Sequence, residues 1–263
     1  MKVGEVEGLL LERFPLADAE DWDHVGLSVG DPRADVARAC CALDVTEANV
    51  RAAASHGATL LLTHHPIYLE APAAITPVSP ARPASGAALL AAARLGVSVI
   101  SLHTNLDRSV EARELLPSLM GMEAVSSLEF PDAPARHGLG ALTRPAPCTL
   151  DELAARAART FSTEPRVWGP PEKEVRSVAF FGGSVGQMGE RVLAAGADAL
   201  VAGEAGYHVA QDLALRGCPL VLLGHDRSEE PFCTLLANAL IEAGLSAAEV
   251  EVLHPPRAWW TAC

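Results

Sequence analysis

Residues 58–65 read ATLLLTHH and are followed at once by Pro66. A short apolar run without helical spacing, closed by a residue that cannot donate to a ladder, reads as a buried strand. Two histidines then stand at its C-terminal end. On the N-terminal side, VARACCALDV (36–45) reads as a second strand ending in Asp44. Between the two, Thr46–His56 reads as a helix capped by Thr46 and stopped by Gly57. On the C-terminal side, a loop rich in Pro and Ala (70–84) leads to a helix over Gly86–Leu95, then to GVSVISLHTNLD (96–107), a strand with its exit loop. Strands alternating with alanine-rich helices make this an α/β protein.

The pattern continues beyond residue 128. HGLGALTRP suggests a strand, and Thr149 caps the helix TLDELAARAARTF, whose Asp151 and Glu152 complement its N-terminal dipole. Arg166–Trp168, VRSVAFFGGS (175–184), ADALVAGE (197–204), CPLVLLGH (218–225) and VEVLHP (250–255) read as further strands. The Gly182–Gly183 pair reads as a tight turn opening a helix. The Pro-rich stretch PDAPARHG marks a boundary near 125–135, giving one α/β lobe from 1–127 plus 225–263 and a second from 128–224.

Composition narrows the function classes. The chain has 263 residues, 49% hydrophobic and 20% charged, with 20 basic against 33 acidic side chains, a formal charge of −13. That balance opposes phosphate backbones and anionic membranes, and 5% aromatics leaves few platforms for stacking bases. No apolar run is long enough to span a bilayer, and the acids within MKVGEVEGLLLERF exclude a secretory signal. The expectation is a cytoplasmic protein that binds neither nucleic acid nor membrane. Its six cysteines form no C-x-x-C pair, and most sit in apolar runs as buried thiols.

Chemistry gathers at one kind of place. His64 and His65 follow one strand, His103 and Asp107 the next, Glu204 and His208 another, and His225 and Glu229 the last. Ligand sites in open α/β sheets lie outside such strand ends. A single histidine there reads equally well as a core residue; four strand ends with a carboxylate nearby do not. Neighbouring side chains on a strand diverge, so His64 and His65 suit two ions. His225 and Glu229 share one face of a helical turn, with Pro231 in its first turn. With Asp107 these make three imidazoles and two carboxylates, a donor set for Zn, Fe, Mn or Co rather than Ca or Mg. Five ligands exceed what one catalytic zinc takes and match two divalent transition-metal ions per subunit.

Six segments together carry a resemblance: WDHVGLSVG (22–30), ALDVT (42–46), LLTHHPI (61–67), LHTNLD (102–107), AGEAGYH (202–208) and GHDRSE (224–229). In this order they resemble the YbgI-like (Nif-three-like) proteins, often labelled GTP cyclohydrolase 1 type 2 homologs. The resemblance implies a two-lobed α/β subunit, each lobe a mixed sheet flanked by helices, with a dinuclear metal site in the cleft and a ring-shaped homohexamer. It implies His64, His65, Asp107, His225 and Glu229 as metal ligands, and His103, Glu204 and His208 as substrate-facing or catalytic groups. Two departures stand out: His24 replaces the family's usual Asn, and Asp226 its usual aromatic residue.

The function implied is a metal-dependent hydrolase acting on a nucleotide or another heterocyclic or amide substrate. The alternative is a non-catalytic iron or zinc carrier using the same ligands. A calcineurin-like phosphoesterase would need D-x-H and G-N-H-[DE] motifs, and neither occurs. A mean hydropathy of +0.20 leaves apolar surface for subunit contacts, with Trp259 and Trp260 as candidate anchors.

Overall fold

The computed structural model describes residues 1–257 and 259–262; Cys263, one of the six cysteines, falls outside them. The chain is a mixed α/β protein in two compact units, Met1–Asn105 with Phe232–Cys263, and Leu106–Pro231.

The first unit begins with α1 (Val3–Arg13), β1 (Gly26–Val29), β2 (Ala39–Ala42), α2 (Glu47–Ser55), β3 (Leu60–Thr63), α3 (Ala84–Leu95) and β4 (Ser98–Ser101). The short helix α4 (Thr104–Asp107) leads out of it, and the chain returns much later through α10 (Phe232–Glu242) and β13 (Val250–Val252). Its sheet runs β1-β4-β3-β2-β13, with β13, β2, β3 and β4 parallel and β1 antiparallel at the edge. Every residue of β2, β3 and β4 is buried, as parallel strands covered on both faces must be. Small side chains on α2 and α3, among them Ala53, Ala91 and Ala92, pack with Cys40, Leu61 and Val99 over that sheet. The strands are shorter than the apolar runs suggest, because each run continues into the loop that carries chemistry.

The second unit holds α5 (Val110–Leu119), β5 (Ala124–Ser126), β6 (Ala141–Thr143), β7 (Cys148–Thr149), α6 (Leu150–Thr160), β8 (Arg166–Trp168), β9 (Glu174–Val175) and β10 (Val178–Ser184). It continues with α7 (Gly189–Ala194), β11 (Ala199–Glu204), α8 (Tyr207–Leu215), β12 (Leu220–Leu222) and α9 (His225–Glu229). Its six-stranded sheet is ordered β5-β6-β10-β11-β12-β8, parallel through β10, β11 and β12 and antiparallel elsewhere. Gly182 and Gly183 lie inside β10 rather than in a turn that starts a helix. Pro231 precedes α10, so His225 and Glu229 occupy a separate five-residue helix instead of the first turn of a long one.

Cys40, Cys41, Cys148 and Cys218 are free thiols. Burial pushes Cys40 and Cys218 up to about 11, and Cys41 well above its ordinary value, so these are packing groups rather than ligands or nucleophiles. No helix among the described residues is long and apolar enough to cross a membrane.

Thr149 caps α6 as expected: its hydroxyl accepts from the Glu152 amide, and the Glu152 carboxylate accepts from the Thr149 amide. Thr149→Ala is expected to lower stability by about 1 kcal/mol, read as a shifted urea midpoint with unchanged slope.

Candidate metal centre

In the first unit the chemistry lies just past the C-terminal ends of adjacent parallel strands. β3 ends at Thr63, whose hydroxyl donates to the His65 carbonyl at 2.8 Å and lies 2.9 Å from the Ser101 hydroxyl. These buried hydroxyls pin the backbone of the His64–His65 doublet. His64 is fully buried, with its ring on Phe232, and its Nδ1–H donates to the Leu102 carbonyl at 3.0 Å. His65 Nδ1 meets Asp44 Oδ1 at 2.8 Å, and His103 Nδ1 meets Asp23 Oδ1 at 2.8 Å. Carbonyl and carboxylate oxygens only accept, so each Nδ1 carries a proton, and in the neutral ring Nε2 is the atom left with a lone pair. One ring nitrogen from each of His64, His65 and His103 lies within 4.8 Å of the other two. The doublet sits beyond the strand end, and its rings come together, centroids 5.1 Å apart, instead of diverging.

Asp23 is the most perturbed carboxylate in this group. Burial alone would raise its pKa, but hydrogen bonds from His103 and Thr104 outweigh that and hold it far below the carboxylate range. It stays charged, and so keeps His103 oriented.

The second unit builds its own cluster from a distortion of β10. Between Phe181↔Ala202 and Ser184↔Glu204 the register slips by one residue, so Gly182 and Gly183 together oppose Gly203. Gly183 has φ +61°, and a Cβ there would lie 2.2 Å from Glu229 Oε1 and 3.2 Å from His225 Nε2. Its amide donates to Ser228 Oγ at 2.9 Å, and Ser228 in turn donates to the His225 carbonyl. Glycine is therefore required: the bulge is the space into which the Glu229 carboxylate fits. Glu229 is 4% exposed. His225 Nδ1 meets Glu204 Oε1 at 3.0 Å, and its Nε2 lies 3.0 Å from Glu229 Oε2. With the Nδ1 proton committed to Glu204, a neutral His225 would set two lone pairs face to face at hydrogen-bond distance, and a protonated one makes an ion pair with Glu229. A cation, whether a proton or a metal ion, relieves that repulsion, so the donor set fits a metal.

His64, His65 and His103 come together in one unit; His225, Glu229 and Glu204 come together in the other. Asp107 is the half-buried last residue of α4, one turn after His103. His208 lies exposed on α8 with its ring edge-on to Tyr207. Asp23, Asp44, Ser228 and Gly183 were not anticipated as site residues. Asp23 and Asp44 lie inside WDHVG and ALDVT, and a carboxylate at such a strand end was the available signal.

Gly183→Ala is expected to destabilise the protein by more than about 1 kcal/mol and to shift the His225 imidazole resonances in NMR spectra. Gly186 also has positive φ, +49°, but faces open space. Gly186→Ala should cost stability without moving the His225 resonances, which separates backbone strain from collision with the carboxylate.

Comparison with known proteins bears on the family and the fold. A Streptomyces coelicolor protein named GTP cyclohydrolase 1 type 2 homolog is 33% identical over 250 residues, covering 92% of this chain and 86% of its own. A hypothetical protein of Staphylococcus aureus has a similar crystal structure, with TM-score 0.87 at 22% identity, covering 100% of this chain and 99% of its own. The protein ybgI, of unknown function, gives 0.81 at 22% identity, over 98% and 99%. At that identity the two structures speak for the fold alone. The Duf34/NIF3 (NGG1p interacting factor 3) family matches residues 1–256, and the chain is a member of it.

Proposed function

We propose that the chain is a metal-dependent hydrolase that binds two divalent transition-metal ions, Zn, Fe, Mn or Co, through His64, His65, Asp107, His225 and Glu229. One observation carries this reading. His64, His65, His103 and His225 each have Nδ1 on an acceptor, and so, in the neutral ring, present Nε2 as a donor. His56 shares the orientation through Glu251, so what marks the strand-end imidazoles is that His64, His65 and His103 also bring their ring nitrogens together, as metal ligands must. Bound there, the ions would supply positive charge to polarise the scissile group and a water of lowered pKa.

The chain's own residues set the rest. Asp44 and Glu204 orient His65 and His225, while the Leu102 carbonyl orients His64. His103, backed by the charged Asp23, is suited to hold a proton and pass it to a substrate atom. Glu204 and His208 are secondary candidates for that transfer. The name of the Streptomyces coelicolor relative points to a purine ring of a nucleotide as the bond-cleavage site; heterocyclic or amide bonds more widely fit the same chemistry. We also place the active form as a cytoplasmic homohexamer. Tyr207, Leu215, Trp259 and Trp260 leave large apolar area exposed for subunit contacts.

Elemental analysis of protein prepared with and without air is expected to give two ions per chain; one ion or none overturns the dinuclear reading. His64→Ala with His65→Ala should abolish binding. Glu229→Gln keeps the shape and removes the charge, and should lower occupancy of both sites together with any hydrolysis. Glu229 is our first choice for the carboxylate shared by both ions; two full sites in that variant would pass that role to Asp107. Retained metal without turnover of any compound in a metabolite screen would support the carrier role.

Light scattering at micromolar concentration should give about six chains of 27.5 kDa. A mass near one chain removes the hexamer.

A further inference from the structure

We propose that Thr163 is a positioning residue for His225, and that its hydroxyl sets the plane of the Leu223–Gly224 peptide from which α9 departs. The inference deepens the metal-centre reading and rests on it for what His225 holds.

Thr163 lies in none of the six resembling segments, 60 residues before the backbone it touches. Its hydroxyl donates to the Leu223 carbonyl at 2.8 Å. Leu223 is buried, and a buried carbonyl needs a donor. The Gly224 amide donates to the Gly203 carbonyl of β11 at 2.9 Å. A trans peptide sends its N–H and its C=O in opposite directions, so the Leu223 carbonyl faces the β8 side of β12. There Arg166 pairs with Leu222, and the residue next in line for Leu223 is Pro165. Proline has no amide proton to give. Thr163, two residues further back, supplies the donor that the ladder lacks.

The turn after α6 is shaped for this task. Phe161 closes the helix, Ser162 takes φ +49°, and the Thr163 amide donates back to the Ala158 carbonyl at 3.1 Å. That is a Schellman turn, whose left-handed position usually holds glycine. Among the described residues, Ser162 alone takes a positive φ without being glycine. Such strain persists where the surroundings hold it, and here the strained turn delivers the Thr163 hydroxyl to the segment that leads into His225.

The clamp matters because of Gly224. At φ +101° and ψ 140°, this residue has no side chain to restrict its backbone. Gly203 holds the N–H of the peptide before it and Thr163 holds the C=O, so that peptide cannot swing and α9 starts at a fixed place. His225 Nδ1 then reaches Glu204 Oε1 at 3.0 Å, and its Nε2 lies 3.0 Å from Glu229 Oε2. Without the hydroxyl, the Leu223 carbonyl turns toward another donor and carries the His225 backbone with it.

The test compares Thr163→Val, which keeps the shape and removes the hydroxyl, with Thr163→Ser, which keeps the hydroxyl. Thr149→Ala, a lost cap at the other end of α6, controls for stability alone. In metal-free protein, Thr163→Val should move the His225 imidazole resonances in NMR spectra, while Thr163→Ser and Thr149→Ala leave them in place. In calorimetric titration with zinc, Thr163→Val should bind about tenfold more weakly than wild type, and the other two within about threefold of it. His225 resonances unmoved by Thr163→Val, resonances moved as far by Thr149→Ala, or zinc held by Thr163→Val as tightly as by wild type overturns the assignment. Should Thr163→Val not fold, Thr163→Cys, a weaker donor of similar size, makes the same comparison. Wild type that binds no zinc, while Thr163→Val still moves the His225 resonances, removes the metal reading and keeps Thr163 as the residue that places His225.

Discussion

One recurring interaction organises the candidate centre: an imidazole Nδ1–H given to a fixed acceptor. A neutral histidine has one donor and one acceptor nitrogen, so committing the first decides what the second can do. The acceptors are set by strand order. β2, β3 and β4 are neighbours, so Asp44 after β2 reaches His65 after β3, and His64 reaches the Leu102 carbonyl after β4. The same logic holds in the other sheet, where β11 and β12 are adjacent and Glu204 meets His225. Sheet topology therefore specifies the partners of the donor atoms as much as their positions.

The cost of this arrangement is borne by residues that look unremarkable. Thr63 and Ser101 place hydroxyls in a fully buried layer where apolar side chains would pack better, and both are satisfied only by each other and by the His65 carbonyl. In β10, two glycines give up side-chain packing and regular pairing so that a carboxylate can enter the strand's edge. Such local departures from an ideal fold are expected where chemistry, rather than stability, sets the sequence.

Much of this was legible in the residues. Apolar runs bounded by Pro and Gly gave the strands, the Thr46 and Thr149 caps gave their helices, and histidines at strand ends gave the candidate donors. What stayed hidden was local geometry. Periodicity treats His64 and His65 as a continuation of β3 with opposed side chains, but the strand stops at Thr63 and the rings turn toward each other. A Gly-Gly pair after a strand suggests a turn; only the register with β11 shows a bulge. Asp23 and Asp44 read as ordinary acids in loops, because their meaning lies in partners 80 and 21 residues away.

The first unit is discontinuous, and that has a consequence for synthesis. β13 pairs in parallel with β2, yet 207 residues separate the end of one from the start of the other in translation order. While the ribosome makes the whole second unit, the edge of β2 that β13 later covers waits with its N–H and C=O groups unpaired. Emerging chains offer such an edge to one another as readily as to β13. The return segment of α10 and β13 thus works as a closing clasp on a sheet begun long before it.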